Sequence, residues 1–155
     1  MEGLEFAINM ELQGERYYRK QTSLNKDNVL GTVFSGLADD EHAHAGYLSK
    51  EAKGLPFEAS EAGARSVFDS LADFKEDKNR GPEQLDAYRE ALDMEKQSIE
   101  LYQGLLGKAD VKSALFEFLI GQEKEHYRII EEIIRLVNRP NEWVESAEFG
   151  RREEY

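Results

Sequence analysis

Two Glu-x-x-His turns, Glu41–His44 and Glu123–His126, are the residues of this chain best suited to chemistry. Residues three apart on a helix share a face, so each turn offers a carboxylate and an imidazole to one space. The second turn interrupts the series Phe116, Leu119, Glu123, His126, Ile130, Ile133 and Val137, which advances alternately by three and four residues. That is the spacing of a buried helix face. The first turn lies in a matching frame of Val33, Phe34, Leu37 and Leu48. Burying an unpaired carboxylate is costly, and a cationic partner or a metal is the usual remedy.

Two further apolar seams each carry one carboxylate. Glu11 stands among Leu4, Ala7, Gly14 and Tyr18, with Ile8 widening the stripe. Glu95 stands among Leu85, Tyr88, Leu92, Ile99, Tyr102 and Leu106. Packing four such helices would gather Glu11, Glu41, His44, Glu95, Glu123 and His126 around one polar pocket. Four carboxylates balance two divalent cations, which leaves the imidazoles neutral ligands. Mixed oxygen and nitrogen donors suit iron or manganese, and a chain without cysteine offers no thiolate zinc site and no iron–sulfur cluster. With Fe(II), the expected chemistry is reaction with oxygen or peroxide.

The bland reading of the two histidines is a satisfied core imidazole. The matching single carboxylates on the other two seams weigh against it, since a metal-free bundle would bury four carboxylates without compensation. His42 falls on a different face from His44 and reads as a solvated side chain, although Asp39 three residues earlier leaves a surface metal contact open. Glu15, Glu100, Glu125, Glu131 and Glu132 lie off the seams and are expected to form a charged surface. Tyr18 and Tyr102 follow Glu11 and Glu95 by about two turns. They pack in the core with a hydroxyl on a carboxylate, or act catalytically by orienting ligands or supplying an electron, and the two readings are not exclusive. Asp40 and Gln122, each four residues before a candidate ligand histidine, either accept an imidazole N–H or face solvent.

The elements that must position these residues are helices. The prolines number three, all outside the strongly periodic stretches, and the abundance of Leu, Ala, Glu, Lys and Arg favours an all-α fold. The periodicity predicts a first helix from Glu2 to about Ser23 and a second from about Asn28 to Lys53, with Asp27 or Asn28 as N-cap. The short turn between them makes the pair antiparallel. Gly54-Leu55-Pro56 stops the second helix. A third helix is expected from about Pro82 to Leu106, and a fourth from about Val111, capped by Asp110, to Asn138, ended by Pro140. Residues 1–137 then form one bundle of helix pairs 2–53 and 82–137. The connection 54–81 holds a short amphipathic helix around Val67, Phe68, Leu71 and Phe74. Residues 138–155 form a C-terminal tail whose Trp143, Val144 and Phe149 dock on the bundle or on another subunit.

The two helix pairs are copies of one unit. Met10-Glu11-Leu12-Gln13 matches Met94-Glu95-Lys96-Gln97, and each Glu is followed seven residues later by a Tyr. Phe34 and Phe116 each precede a Glu-x-x-His turn by seven residues. One unit therefore contributes one Glu and one Glu-x-x-His.

A length of 155 residues is enough for one domain with a real core. The formal net charge of −12 argues against nucleic acid. Glu2 and Glu5 stand where a signal peptide would need a basic and then an apolar region, and no apolar run approaches membrane-spanning length. No membrane association and a cytoplasmic location are expected.

These residues resemble the rubrerythrin branch of the ferritin-like superfamily, from Glu2 to Val137. Glu11 with Gln13 and Tyr18, Asp40-Glu41-x-x-His44, Glu95, and Glu123-x-x-His126 carry the resemblance. It implies a ferritin-like four-helix bundle with a long crossover between the second and third helices. It also implies a centre of two Fe ions, Mn being the other candidate, and reduction of hydrogen peroxide or oxygen. Glu11 and Glu95 would be terminal ligands, Glu41 and Glu123 bridging or chelating ones, and His44 and His126 the nitrogen ligands. Typical rubrerythrins carry a rubredoxin iron centre held by four cysteines; here electrons would come from a separate donor protein such as a rubredoxin-type carrier. They also use a further carboxylate three residues from the Glu95 equivalent, where this chain has Ser98, or Leu92 in the other direction. The remaining six-ligand set is also similar to bacterioferritin ferroxidase sites, which makes iron binding or storage the alternative function. A homodimer is expected, whereas storage would require a cage.

Overall fold

Four helices account for most of the structure, a computed structural model that describes residues 2–57, 84–108 and 113–149, with side chains described to Val137. They are α1 (Glu2–Leu24), α2 (Val29–Ala52), α3 (Leu85–Leu106) and α4 (Ser113–Phe149). No strand occurs among the described residues.

Local chemistry sets the turn between α1 and α2. Asn28 is extended, with φ −142° and ψ 172°, and its side-chain oxygen accepts the Leu30 N–H at 2.8 Å. An amide oxygen in that position satisfies one of the orphan donors at a helix start. Asn25 links the other side, donating from its side chain to the Gln21 carbonyl at 2.9 Å. The end of α2 is equally local. Gly54 has φ +77°, its N–H donates to the Glu51 carbonyl, and the Leu55 N–H donates to the Lys50 carbonyl. This paired bonding through a left-handed glycine closes the helix as expected.

The packing is layered along the bundle axis. One apolar layer joins Tyr18, Leu30, Val33, Phe34, Leu37, Tyr88, Ile129, Ile130 and Ile133. The other joins Leu4, Ala7, Leu48, Tyr102, Leu105, Leu115, Phe116 and Leu119. Along each helix the six Glu and His candidates fall between the two layers. Each fully buried large apolar side chain contributes about 1.5–3 kcal/mol, which helps offset the polar layer held between them. The layers also reveal direction. The second layer takes the start of α1 and α4 and the end of α2 and α3, so α2 and α3 run parallel. The chain therefore leaves α2 at one end of the bundle and enters α3 at the other, as a crossover requires.

Two expectations need correction, and several others lie outside the described residues. The buried stripe of α3 is Tyr88, Ala91, Glu95, Ser98, Tyr102 and Leu105, rather than the stripe through Leu92, Ile99 and Leu106. Those three are only partly buried. The fourth helix does not stop at Pro140 but runs to Phe149; an interior proline removes one backbone donor and crowds the carbonyl four residues back, a cost of about 3 kcal/mol that can kink a helix rather than end it. The expected helix around Val67–Phe74, the Pro82 start and the Asp110 cap lie outside the described residues, as do the side chains of Trp143, Val144 and Phe149. Among the described residues no helix is long and apolar enough to cross a membrane.

Candidate metal centre

The helical seams bring all six candidate ligands together. Glu11, Glu41, His44 and Glu123 form one group whose ligand atoms lie within 4.8 Å of one another, and Glu41, Glu95, Glu123 and His126 form a second. Glu41 and Glu123 belong to both. Each of the six is at most 3% exposed.

The imidazoles are aimed by hydrogen bonds made on their outer nitrogens. His44 Nδ1 lies 3.3 Å from Glu11, 3.5 Å from Glu41 and 3.5 Å from Glu123. His126 Nδ1 lies 3.3 Å from Glu41, 3.3 Å from Glu95 and 3.2 Å from Glu123. With Nε2 the outer nitrogen on both rings, His126 donates to Asp40 Oδ2 at 3.0 Å and His44 donates to Gln122 Oε1 at 3.2 Å. A bond at Nε2 sets the ring orientation and leaves Nδ1 as the ligand atom. The pairing crosses between repeats: Asp40 serves His126, not His44 four residues on, and Gln122 serves His44. Both side chains are half-buried rather than solvated.

The tyrosines cross in the same way. The Tyr18 hydroxyl donates to Glu95 Oε2 at 2.5 Å, and the Tyr102 hydroxyl donates to Glu11 Oε2. Both rings are fully buried with the hydroxyl on a carboxylate, and each packs on its own repeat's phenylalanine. Tyr18 stacks on Phe34 with centroids 6.0 Å apart, and Tyr102 tilts against Phe116 at 5.8 Å.

Electrostatics mark the layer as a cation site. Glu41 Oε1, Glu95 Oε1, both Glu123 oxygens and His126 Nδ1 are buried without a hydrogen-bond partner. Burial and then the Glu123 charge push Glu11 up to about 7, against the pull of His44. Burial and the neighbouring carboxylates likewise raise Glu95 and Glu123. Burial alone would lower both histidines, but Glu11 and Glu123 around His44, and Glu95, Asp40, Glu123 and Glu41 around His126, hold both well above the usual imidazole range. These shifts of Glu11, Glu95, Glu123, His44 and His126 all favour the protonated form, as expected where positive charge is wanted. The orphaned oxygens and the two sets of three carboxylates with one imidazole fit divalent metal ions.

Outside this layer the histidine arithmetic is bland. His42 is exposed, with Nδ1 3.1 Å from Glu15 rather than near Asp39, which pairs with Arg19 at 3.0 Å. Glu15 is correspondingly half-buried rather than free surface. Sequence reasoning missed Ser98 as an inner-wall residue. Its signal was the small-residue stripe of Ala91 and Ser98, which larger neighbours at Leu92 and Ile99 obscured.

A helical bundle whose core carries two Glu/His groups sharing a pair of carboxylates has the ferritin-like dimetal-carboxylate architecture. Residues 2–134 match the Rubrerythrin family model, and the chain belongs to that family. An uncharacterized protein of Archaeoglobus fulgidus is 36% identical over 50 residues, which is 32% of this chain and 79% of that protein. No solved structure matches.

Proposed function

We propose that the chain is a non-haem diiron oxidoreductase that reduces hydrogen peroxide, or oxygen, with electrons from a separate donor protein. The observation that carries this reading is the pair of overlapping groups with Glu41 and Glu123 common to both. Glu11 and His44 complete one metal position, and Glu95 and His126 complete the other. Two ferrous ions there would supply the two electrons that, with two protons, convert one peroxide to two waters. The chain's own residues hold the ligands still. Asp40 and Gln122 aim the imidazoles, Tyr18 and Tyr102 fix the terminal carboxylates, and the apolar layers exclude bulk water from either side. Without metal, burial pushes the Glu11 carboxyl up to about 7, and a bound ion would displace that proton while the Tyr102 hydroxyl still donates to the carboxylate.

Ser98 favours a second reading. A buried serine in place of a further carboxylate leaves a six-ligand set like that of a ferroxidase serving iron uptake. Anaerobic Fe(II) titration, followed by rapid mixing with peroxide or oxygen, separates the two. Two irons per chain and faster oxidation by peroxide are expected. Preference for oxygen with uptake continuing beyond two irons would favour the ferroxidase, and no tight binding of iron or manganese would refute both.

A further inference from the structure

A small cavity of about 60 Å³ lies between α1 and α3, with Glu41 and Glu95 in its wall. The volume is several times what one water needs. Its sides are residues matched by the duplication: Gln13 with Gln97, Met10 with Met94, and Gly14 with Ser98. Exposure falls inward in that order. The glutamines are exposed, the methionines half-buried, and Gly14 and Ser98 buried. The cavity thus runs from solvent to ligand carboxylates.

Two small residues keep its inner end open. A Cβ on Gly14 would lie 2.5 Å from Glu41 Oε2, so any side chain there would collide with that carboxylate. Ser98, 7% exposed, faces it from α3 as part of the buried stripe. The cavity is also one-sided. Glu41 and Glu95 border it, whereas Glu11 does not, so the duplication's symmetry is broken at this wall. Along the bundle axis the approaches are filled by Tyr18 and Phe34 on one side and Tyr102 and Phe116 on the other.

We propose that this cavity is the port by which a small exogenous ligand reaches the Glu41–Glu95–Glu123–His126 group, with Ser98 and Gly14 setting its bore. The ligand class is a molecule of two or three heavy atoms, such as hydrogen peroxide, dioxygen or a small linear anion. The inference rests on the dimetal reading and deepens it. The two metal positions differ at this wall: Glu95 of the position it completes with His126 borders the cavity, and Glu11 of the other position does not.

Azide is the probe. The full chain is loaded with iron, metal content is measured, the centre is oxidised, and azide binding is followed by absorbance in the wild type and in Ser98→Ala, Ser98→Val and Ser98→Leu. Overpacking the wall should weaken azide about tenfold or more in Ser98→Leu and by a smaller factor in Ser98→Val, while Ser98→Ala stays within about twofold of wild type. Should Ser98→Leu fail to fold, Ser98→Val decides. Absent azide binding by the two-iron wild type, or unchanged affinity in the filled variants with both irons retained, would overturn the port. Failure of the wild type to bind two metal ions at all would instead sink the dimetal reading beneath it.

Discussion

Asp40 accepts the Nε2–H of His126 at 3.0 Å, although it lies on α2 and stands four residues before the other candidate ligand histidine. The two Glu-x-x-His turns are therefore interlocked. Each repeat aims the imidazole of its partner repeat, so neither half of the duplication holds a complete site alone.

Removing that contact should weaken metal binding at one position. For Asp40→Ala, affinity at the Glu95–His126 position is expected to fall about 10- to 100-fold. Fe(II) or Mn(II) titration would show one tight and one weakened step. Two unchanged steps would mean that Asp40 does not orient the ligand.

The shared carboxylates should matter more than the terminal ones. Glu41→Ala is expected to abolish tight binding at both positions, because Glu41 belongs to both groups, whereas Glu11→Ala should remove one. Metal content after dialysis checks this, and equal stoichiometry in the two variants would contradict the sharing. His126→Ala should likewise lose at least one tightly bound ion.

Deleting a tyrosine hydroxyl isolates the crossed hydrogen bonds. Tyr18→Phe leaves Glu95 without the donor at 2.5 Å and should lower metal-free stability by about 1–3 kcal/mol. Tyr102→Phe should act similarly through Glu11. Chemical denaturation gives the number, and two variants as stable as wild type would reduce both tyrosines to packing.

The metal-free protein should lose stability as pH rises. Glu11 has a folded value of about 7 against an ordinary 4.5, so the stability its proton confers is full below about 4.5 and is lost as pH climbs through 7. The two histidines act in the same direction, with their contribution full below the ordinary imidazole value of 6.5 and lost at higher pH. Thermal melts of chelator-treated protein from pH 5 to pH 9 should therefore show a falling Tm. Metal binding should run the opposite way, tightening with pH as ligand protons are displaced. A metal-free Tm that rises across this range would show that the buried layer is charged differently.

Much of this was legible along the chain because a helix face depends on local spacing. The seams of α1, α2 and α4 are buried as their three-and-four periodicity requires, and all six Glu and His candidates meet. Asn28 and Gly54 bound α2 at its start and its end by side-chain and backbone chemistry that needs no distant partner. The α3 stripe was misplaced for a physical reason. Tyr88, Glu95 and Tyr102 fit either of two adjacent stripes, and choosing the larger residues at Leu92 and Ile99 ignored the close packing that favours Ala91 and Ser98.

By itself, then, the sequence determined the helices, the duplicated unit and the identity of the polar layer, since these follow from periodicity and from the cost of burying charge. Only the tertiary structure decided which groups meet across it. That Tyr18 reaches Glu95, Tyr102 reaches Glu11, Asp40 holds His126 and Gln122 holds His44 depends on how one helix pair is set against the other. The same docking leaves a cavity at Gly14 and Ser98. Such contacts join residues far apart in the chain, and no local spacing encodes the relative placement of two helix pairs.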